Sequence, residues 1–192
     1  MYKLCKTEQS ADRQRALEAG LLSVMGAHHY DEISVSDLCD RMGVPRKSFY
    51  RYFSGKDGAL HALIDHTLME FEGFALQASA STKRTVYTEM EQFFQFWVHQ
   101  KDLLDALQRS GMTGVLFQRC LHHALDGDGV PHRFLPHNEK VTREYAALFG
   151  ICGLMSLVTQ WHQGGFTQSP WQMAQITAKL MTEPLFQNAD KL

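Results

Sequence analysis

Five cations, Arg41, Arg46, Lys47, Arg51 and Lys56, fall within residues 41–56, a stretch with no acidic side chain. Hydroxyls are interleaved with them at Ser48, Tyr50 and Tyr52. Guanidinium and ammonium groups pair with phosphate oxygens and with guanine edges, and hydroxyls donate to phosphates. This is the chemistry of a nucleic-acid contact. The concentration is local, because the whole chain has 19 Lys+Arg against 21 Asp+Glu. Residues 1–60 carry a net charge of +1 and the remainder −3. Such a chain would approach a duplex by one end only, and a net charge of −2 excludes a nonspecific DNA coat.

Other chemistry is poorly supported. Ten His include His28-His29, His122-His123, His61 with His66, and His132 with His137, yet no Cys-x-x-Cys or His-Glu-x-x-His occurs. Asp126-Gly-Asp128-Gly resembles the start of a calcium loop, but Pro131 and His137 stand where ligands should follow. There is no Gly-x-Ser-x-Gly elbow and no phosphate-binding glycine loop after a strand. No catalytic residue, metal or cofactor is expected, and the chain is read as a non-enzyme. Cys5, Cys39, Cys120 and Cys152 lack paired spacing, and the first twenty residues have no apolar signal core. They read as reduced thiols of a cytoplasmic protein.

The elements that must position the cations are short helices. Ser34 followed by Asp37 is a helix start, and Val35, Leu38, Cys39 and Met42 share one face. Gly43 closes that helix, and Pro45 suits the first turn of the next, predicted over about Arg46 to Phe53. Phe49 and Phe53 point inward there. Ser54 with Asp57 repeats the capping spacing and opens a long helix from about Gly55 to Ala78. Gly55 and Gly58 would make that start flexible.

The segment resembles the DNA-binding domain of the tetracycline-repressor (TetR) family. Carrying the likeness are Ser34-Val35-x-Asp37-Leu38-Cys39, Gly43-Val44, Phe49-Tyr50-x-Tyr52-Phe53 and Lys56-Asp57. It extends back over a first helix, about Ala11 to His29, with Leu17, Leu21 and Met25 in a stripe and a His29-Tyr30-Asp31-Glu32-Ile33 turn. The resemblance implies that Arg46, Lys47 and Ser48 approach base edges. It implies that Ser34, Tyr50, Tyr52 and Lys56 hold phosphates.

An all-α fold follows. Residues 1–54 are expected to form a three-helix DNA-binding domain with a helix-turn-helix, and residues 55–192 an effector-binding and dimerisation domain, with about nine helices in all. Further helices are predicted over about Val86–His99, Asp102–Arg109, Thr113–Leu125, Asn138–Gln163 and Ser169–Pro184, with no strand and with a loop over Asp126–His137. From Tyr145 to Ala178 there is no formal charge, and Ala146 to Val158 is apolar nearly all round. A helix of that kind has to be covered. The run is too short to span a membrane. A second copy is the expected cover, with Ala146, Gly150, Gly153, Trp161, Trp171, Ala174 and Ala178 at the interface and four helices meeting across a two-fold axis. Phe93, Trp97, Phe117, Cys120, His123, Tyr145, Phe149 and Cys152 are the candidate lining of a small-molecule effector pocket.

The resemblance then implies a regulator, in its commonest form a repressor, that binds palindromic operator DNA as a homodimer and is released by a small-molecule effector. Phe93-Phe94-x-Phe96-Trp97, the Tyr145–Trp161 segment and Ser169-Pro170 also resemble a branch that includes an activator of dihydroxyacetone-kinase genes, which leaves activation open beside repression. The alternative is a helical-bundle enzyme or small-molecule carrier that does not bind DNA.

Overall fold

Thr7, Ser34, Thr85 and Ser169 each accept a hydrogen bond from the backbone N–H three residues on, at 3.1 to 3.3 Å. These hydroxyls satisfy N–H groups that have no partner inside the helix, and so fix where four helices begin. The computed structural model describes residues 1–79, 85–126 and 140–183. Its helices are α1 (Glu8–Ala27), α2 (Val35–Met42), α3 (Arg46–Tyr50), α4 (Lys56–Ser79), α5 (Val86–His99), α6 (Lys101–Arg109), α7 (Thr113–Asp126), α8 (Lys140–Gln163) and α9 (Pro170–Thr182). A single 3-10 turn covers Tyr30–Glu32. The described residues contain no strand, only an antiparallel bridge between Tyr2 and Phe53. The fold is all-α, as expected.

The first three helices form a head around α4. Leu21, Met25, Leu38, Phe49, Leu60 and Ile64 are fully buried and bring α1, α2, α3 and α4 together. The body is built by α5 to α9 on the rest of α4. Phe94 packs edge-on against Trp161, whose ring meets Phe166 at 4.6 Å. Phe71 contacts Phe93 and Phe96, joining α4 to α5. α9 lies along α5 with Met173, Ala174, Thr177 and Ala178 turned in. Core side chains run without a break from head to body through α4.

Several boundaries differ from the sequence reading. α1 starts at Glu8, because the Thr7–Ser10 capping box opens it earlier. α3 ends at Tyr50 rather than Phe53, because the next residues pair with an N-terminal strap. Lys3 donates its backbone N–H to the Tyr52 carbonyl at 2.9 Å, and Ser54 donates to the Met1 carbonyl at 3.1 Å. The expected Ser54–Asp57 box does not form. The Ser54 hydroxyl donates to Met1, and Asp57 accepts from the Tyr30 phenol at 2.7 Å. Gly58 is a close-approach residue rather than a flexible one. A methyl group there would sit 2.4 Å from the Met1 carbonyl oxygen. The expected loop lies outside the described residues from 127 onward.

The charge-free part of α8, from Tyr145 onward, is not covered all round. Tyr145 and Phe149 are 68 % and 74 % exposed, and among the described residues no side chain lies within 4 Å of a methyl group placed at Gly150 or Gly153. Met155, Val158 and Trp161 face inward on the other side. Three expected interface residues are therefore corrected. Trp161 is core, its indole N–H donating to the Gln168 carbonyl at 3.0 Å, and Ala174 and Ala178 are fully buried within the chain. Among the described residues no helix is long and apolar enough to cross a membrane.

Candidate nucleic-acid interface

Phe49 is the anchor of α3. It is fully buried and lies 5.1 Å from the Phe53 ring. With that face pinned inward, the helix period turns Arg46, Lys47 and Tyr50 to solvent, and all three are exposed. Ser48 is half-buried, and Arg51 is exposed at the end of the helix. Gly43, at φ 64°, takes the left-handed conformation that closes α2, and Pro45 then leads into α3. Arg46 also donates to the Ser36 hydroxyl on α2, so the guanidinium is steered by the preceding helix.

Ser34 lies exposed at the start of α2, its hydroxyl donating to Asp37 at 2.5 Å. That bond holds the Asp37 carboxyl below its usual range, and Arg41 and Arg46 add to the effect. Ser34, Arg46, Lys47, Ser48 and Tyr50 therefore occupy one region on α2 and α3.

Two expected phosphate-holding residues are placed otherwise. Tyr52 is buried and belongs to the head core, because its backbone is held by Lys3. The Lys56 ammonium donates to the Tyr30 carbonyl at 2.8 Å and sits 4.4 Å from the centre of the Tyr30 ring. Both groups support the head from within.

Tyr30 is the residue that sequence reasoning undervalued. Its phenol bonds Asp57 on α4, and its N–H donates to the Ser110 hydroxyl at the end of α6 at 3.0 Å. Burial and the Asp57 bond push the phenol well above its ordinary titration range, so it remains a donor. Arg109, beside Ser110, donates to the Gly26 and Met25 carbonyls at the end of α1. The head is thus fastened to the body through α6 as well as α4. The only advance signal was the position of Tyr30 in the turn between α1 and α2.

The expected effector lining does not gather round one cavity. Phe93, Trp97 and Cys120 are buried in the filled core, and burial pushes the Cys120 thiol up to about 12. His123 bonds Glu72 at 3.0 Å, Phe117 and Cys152 are half-buried, and Tyr145 and Phe149 project outward. A cleft of about 420 Å³ lies elsewhere, lined by Arg15, Glu18 and Leu22 of α1, Leu63 and Glu70 of α4, and Leu103 of α6 among others.

Comparison with known proteins agrees with the geometry. Residues 19–63, which hold the C-terminal part of α1, all of α2 and α3 and the start of α4, match the family described as "Bacterial regulatory proteins, tetR family". The HTH-type transcriptional regulator EthR of Mycolicibacterium smegmatis is 31 % identical over 87 residues, which is 43 % of this chain and 40 % of that protein. The chain thus spans well under half the length of that relative. Two solved structures share the fold over nearly the whole chain. One is a TetR-family transcriptional regulator from Syntrophomonas wolfei, with TM-score 0.66, 14 % identity, and 93 % and 99 % of the two chains covered. The other is the dihydroxyacetone kinase operon activator DhaS, with TM-score 0.56, 12 % identity, and 88 % and 93 % covered. Residues 19–63, with their helix-turn-helix, thus match the tetR family of bacterial regulatory proteins, and the chain as a whole shares the all-helical fold of these solved structures.

Proposed function

We propose that the protein is a homodimeric regulator, in its basal state a repressor, that reads a palindromic operator with α3 and is released by a small-molecule effector. The observation that carries this reading is the division of α3. Phe49 is locked in the core while Arg46 and Lys47 stand exposed at the first turn, in a stretch without carboxylates. A helix presenting its N-terminal cations in this way suits the major groove, where Arg or Lys meets guanine.

Two-fold pairing supplies the second recognition helix. The uncharged, exposed face of α8 carries Tyr145, Phe149, Gly150 and Gly153, with Ala146 at its edge. Trp171, Ile176 and Leu180 of α9 are also exposed. Exposed apolar surface of this extent suits a second copy. Two heads spaced roughly 34–36 Å apart would then meet successive major grooves.

The effector is a third part of the proposal. The Phe71, Phe74, Phe93 and Phe96 cluster between α4 and α5 would admit an apolar molecule by opening. Such a ligand acts only through its differential affinity for the open and closed states. A shift from 1:99 to 99:1 takes about 5.5 kcal/mol.

Selection of bound sequences from random duplexes, followed by a shift assay at fixed salt, tests the reading. Arg46→Ala with Lys47→Ala should abolish specific binding while helicity and association state persist. Unchanged affinity in that double variant would reject DNA reading by α3 and favour the enzyme or carrier alternative.

A further inference from the structure

Residues 1–5 run as a strap across the junction of head and body. Met1 accepts from the backbone and hydroxyl of Ser54, Tyr2 pairs with Phe53, and Lys3 donates to Tyr52. The strap therefore grips Tyr52, Phe53 and Ser54, just beyond the recognition helix. Cys5 adds a bond from its thiol to Gln14 of α1 at 2.7 Å. Gly58 is bare because the strap lies directly against it.

The same strap reaches into the body. The Tyr2 phenol donates to Asp65 of α4 at 2.8 Å, and Arg119 of α7 donates to both oxygens of that carboxylate, through Nε at 2.6 Å and through Nη2. Asp65 is 7 % exposed, so a charge is held inside by two partners. The Tyr2 ring lies edge-on to His66, 5.7 Å away, and His66 bonds the buried Glu18 of α1 at 2.8 Å. Burial, with the Asp65 bond behind it, pushes the Tyr2 phenol up to about 12, so it stays a donor. A buried carboxylate fixed by a two-pronged guanidinium has little freedom to shift. Tyr2 is thereby set by a body helix, and the backbone around Tyr2 in turn holds the end of α3.

We propose that Arg119, Asp65 and Tyr2 form a positioning relay through which α7, a helix with no place at the DNA surface, sets the orientation of the recognition helix. The inference rests on the reading of α3 as the DNA-contacting helix. Tyr2 and Arg119 are positioning residues that act through the strap and touch no DNA.

The test uses Tyr2→Phe, Arg119→Lys and the double variant of the full chain. Tyr2→Phe keeps the ring against His66 and removes only the donor. Arg119→Lys keeps the charge but cannot span both carboxylate oxygens. Each single variant should weaken binding to the selected operator about fivefold, and the double should lose no more than the worse single, as members of one network do. Hydrogen exchange at the Lys3 and Ser54 amides should quicken in both singles, while amides in the α5–α9 core keep their rates. Operator affinity equal to wild type in either single, or losses that multiply in the double, would overturn the relay. So would unchanged exchange at those two amides. If the unaltered protein selects no duplex, the DNA reading itself fails, and the exchange rates still decide whether α7 governs the strap.

Discussion

The Lys56 ammonium lies over the Tyr30 ring and donates to the carbonyl of the same residue, at 4.4 Å from the ring centre and 2.8 Å from the oxygen. One side chain thus clamps the turn between α1 and α2 onto the first turn of α4. A cation–π contact and a charge-assisted hydrogen bond together are worth about 1–2 kcal/mol at a half-exposed site. Lys56→Ala should lower the free energy of unfolding by about that amount in urea titration. It should leave the salt dependence of operator binding unchanged, whereas Lys47→Ala should reduce that slope by about 1. A slope reduced by Lys56→Ala would return that residue to the phosphates.

Gly55 and Gly58, three residues apart in the sequence, have different surroundings. Gly55 has nothing within 4 Å of a would-be methyl, while Gly58 has the Met1 carbonyl at 2.4 Å. Gly58→Ala should displace the strap and cost about 1–3 kcal/mol, the usual penalty for overpacking. Gly55→Ala should be close to neutral. Equal stabilities for the two variants in chemical denaturation would show that the strap does not pack as described.

On α8, Phe149 and Trp161 face opposite ways. Phe149→Glu alters an exposed side chain, so unfolding free energy per chain should change by no more than about 0.5 kcal/mol in a monomer. If this face joins two copies, sedimentation should show a shift to single chains. Trp161→Ala removes core and should cost about 3–5 kcal/mol. A Phe149→Glu protein that sediments like wild type would place the interface elsewhere.

Asp105 provides a pH test. The Lys101 bond holds its carboxyl below the usual range, with the His162 bond acting in the same direction. A carboxyl with a lowered folded value stabilises the fold above its unfolded value, about 3.9, and that contribution disappears as pH falls through the folded value. Asp105→Asn should therefore be less stable than wild type at pH 7, with the gap closing towards pH 3. A gap of constant size across that range would show that the ion pairs do not contribute.

Local chemistry was legible in the sequence. Ser34, Gly43, Pro45 and Phe49 declare the α2–turn–α3 unit because caps, left-handed turns and a helical face are decided within a few residues. Ser169 did the same for the start of α9. What could not be read were contacts between distant positions, such as Tyr30 with Ser110 or Asp65 with Arg119. No periodicity encodes them. α8 shows a different failure. When nearly every position is apolar, the pattern has no phase, so it does not say which face turns inward. Trp161 was given to a partner and Phe149 to an interior for that reason. Ala174 and Ala178 were likewise assigned to the interface with a partner, and in the fold they are buried where α9 packs on α5.

The join between α6 and α7 has a fixed length. Ser110 receives the Tyr30 amide, and its neighbour Arg109 reaches the last carbonyls of α1. One residue inserted before Ser110 would rotate that hydroxyl by about 100° around the helix axis. The Tyr30 amide would then be stranded indoors without an acceptor. This surface bend should consequently reject insertions that other exposed bends accept, and a library of single-residue insertions scored for folding would show a gap there.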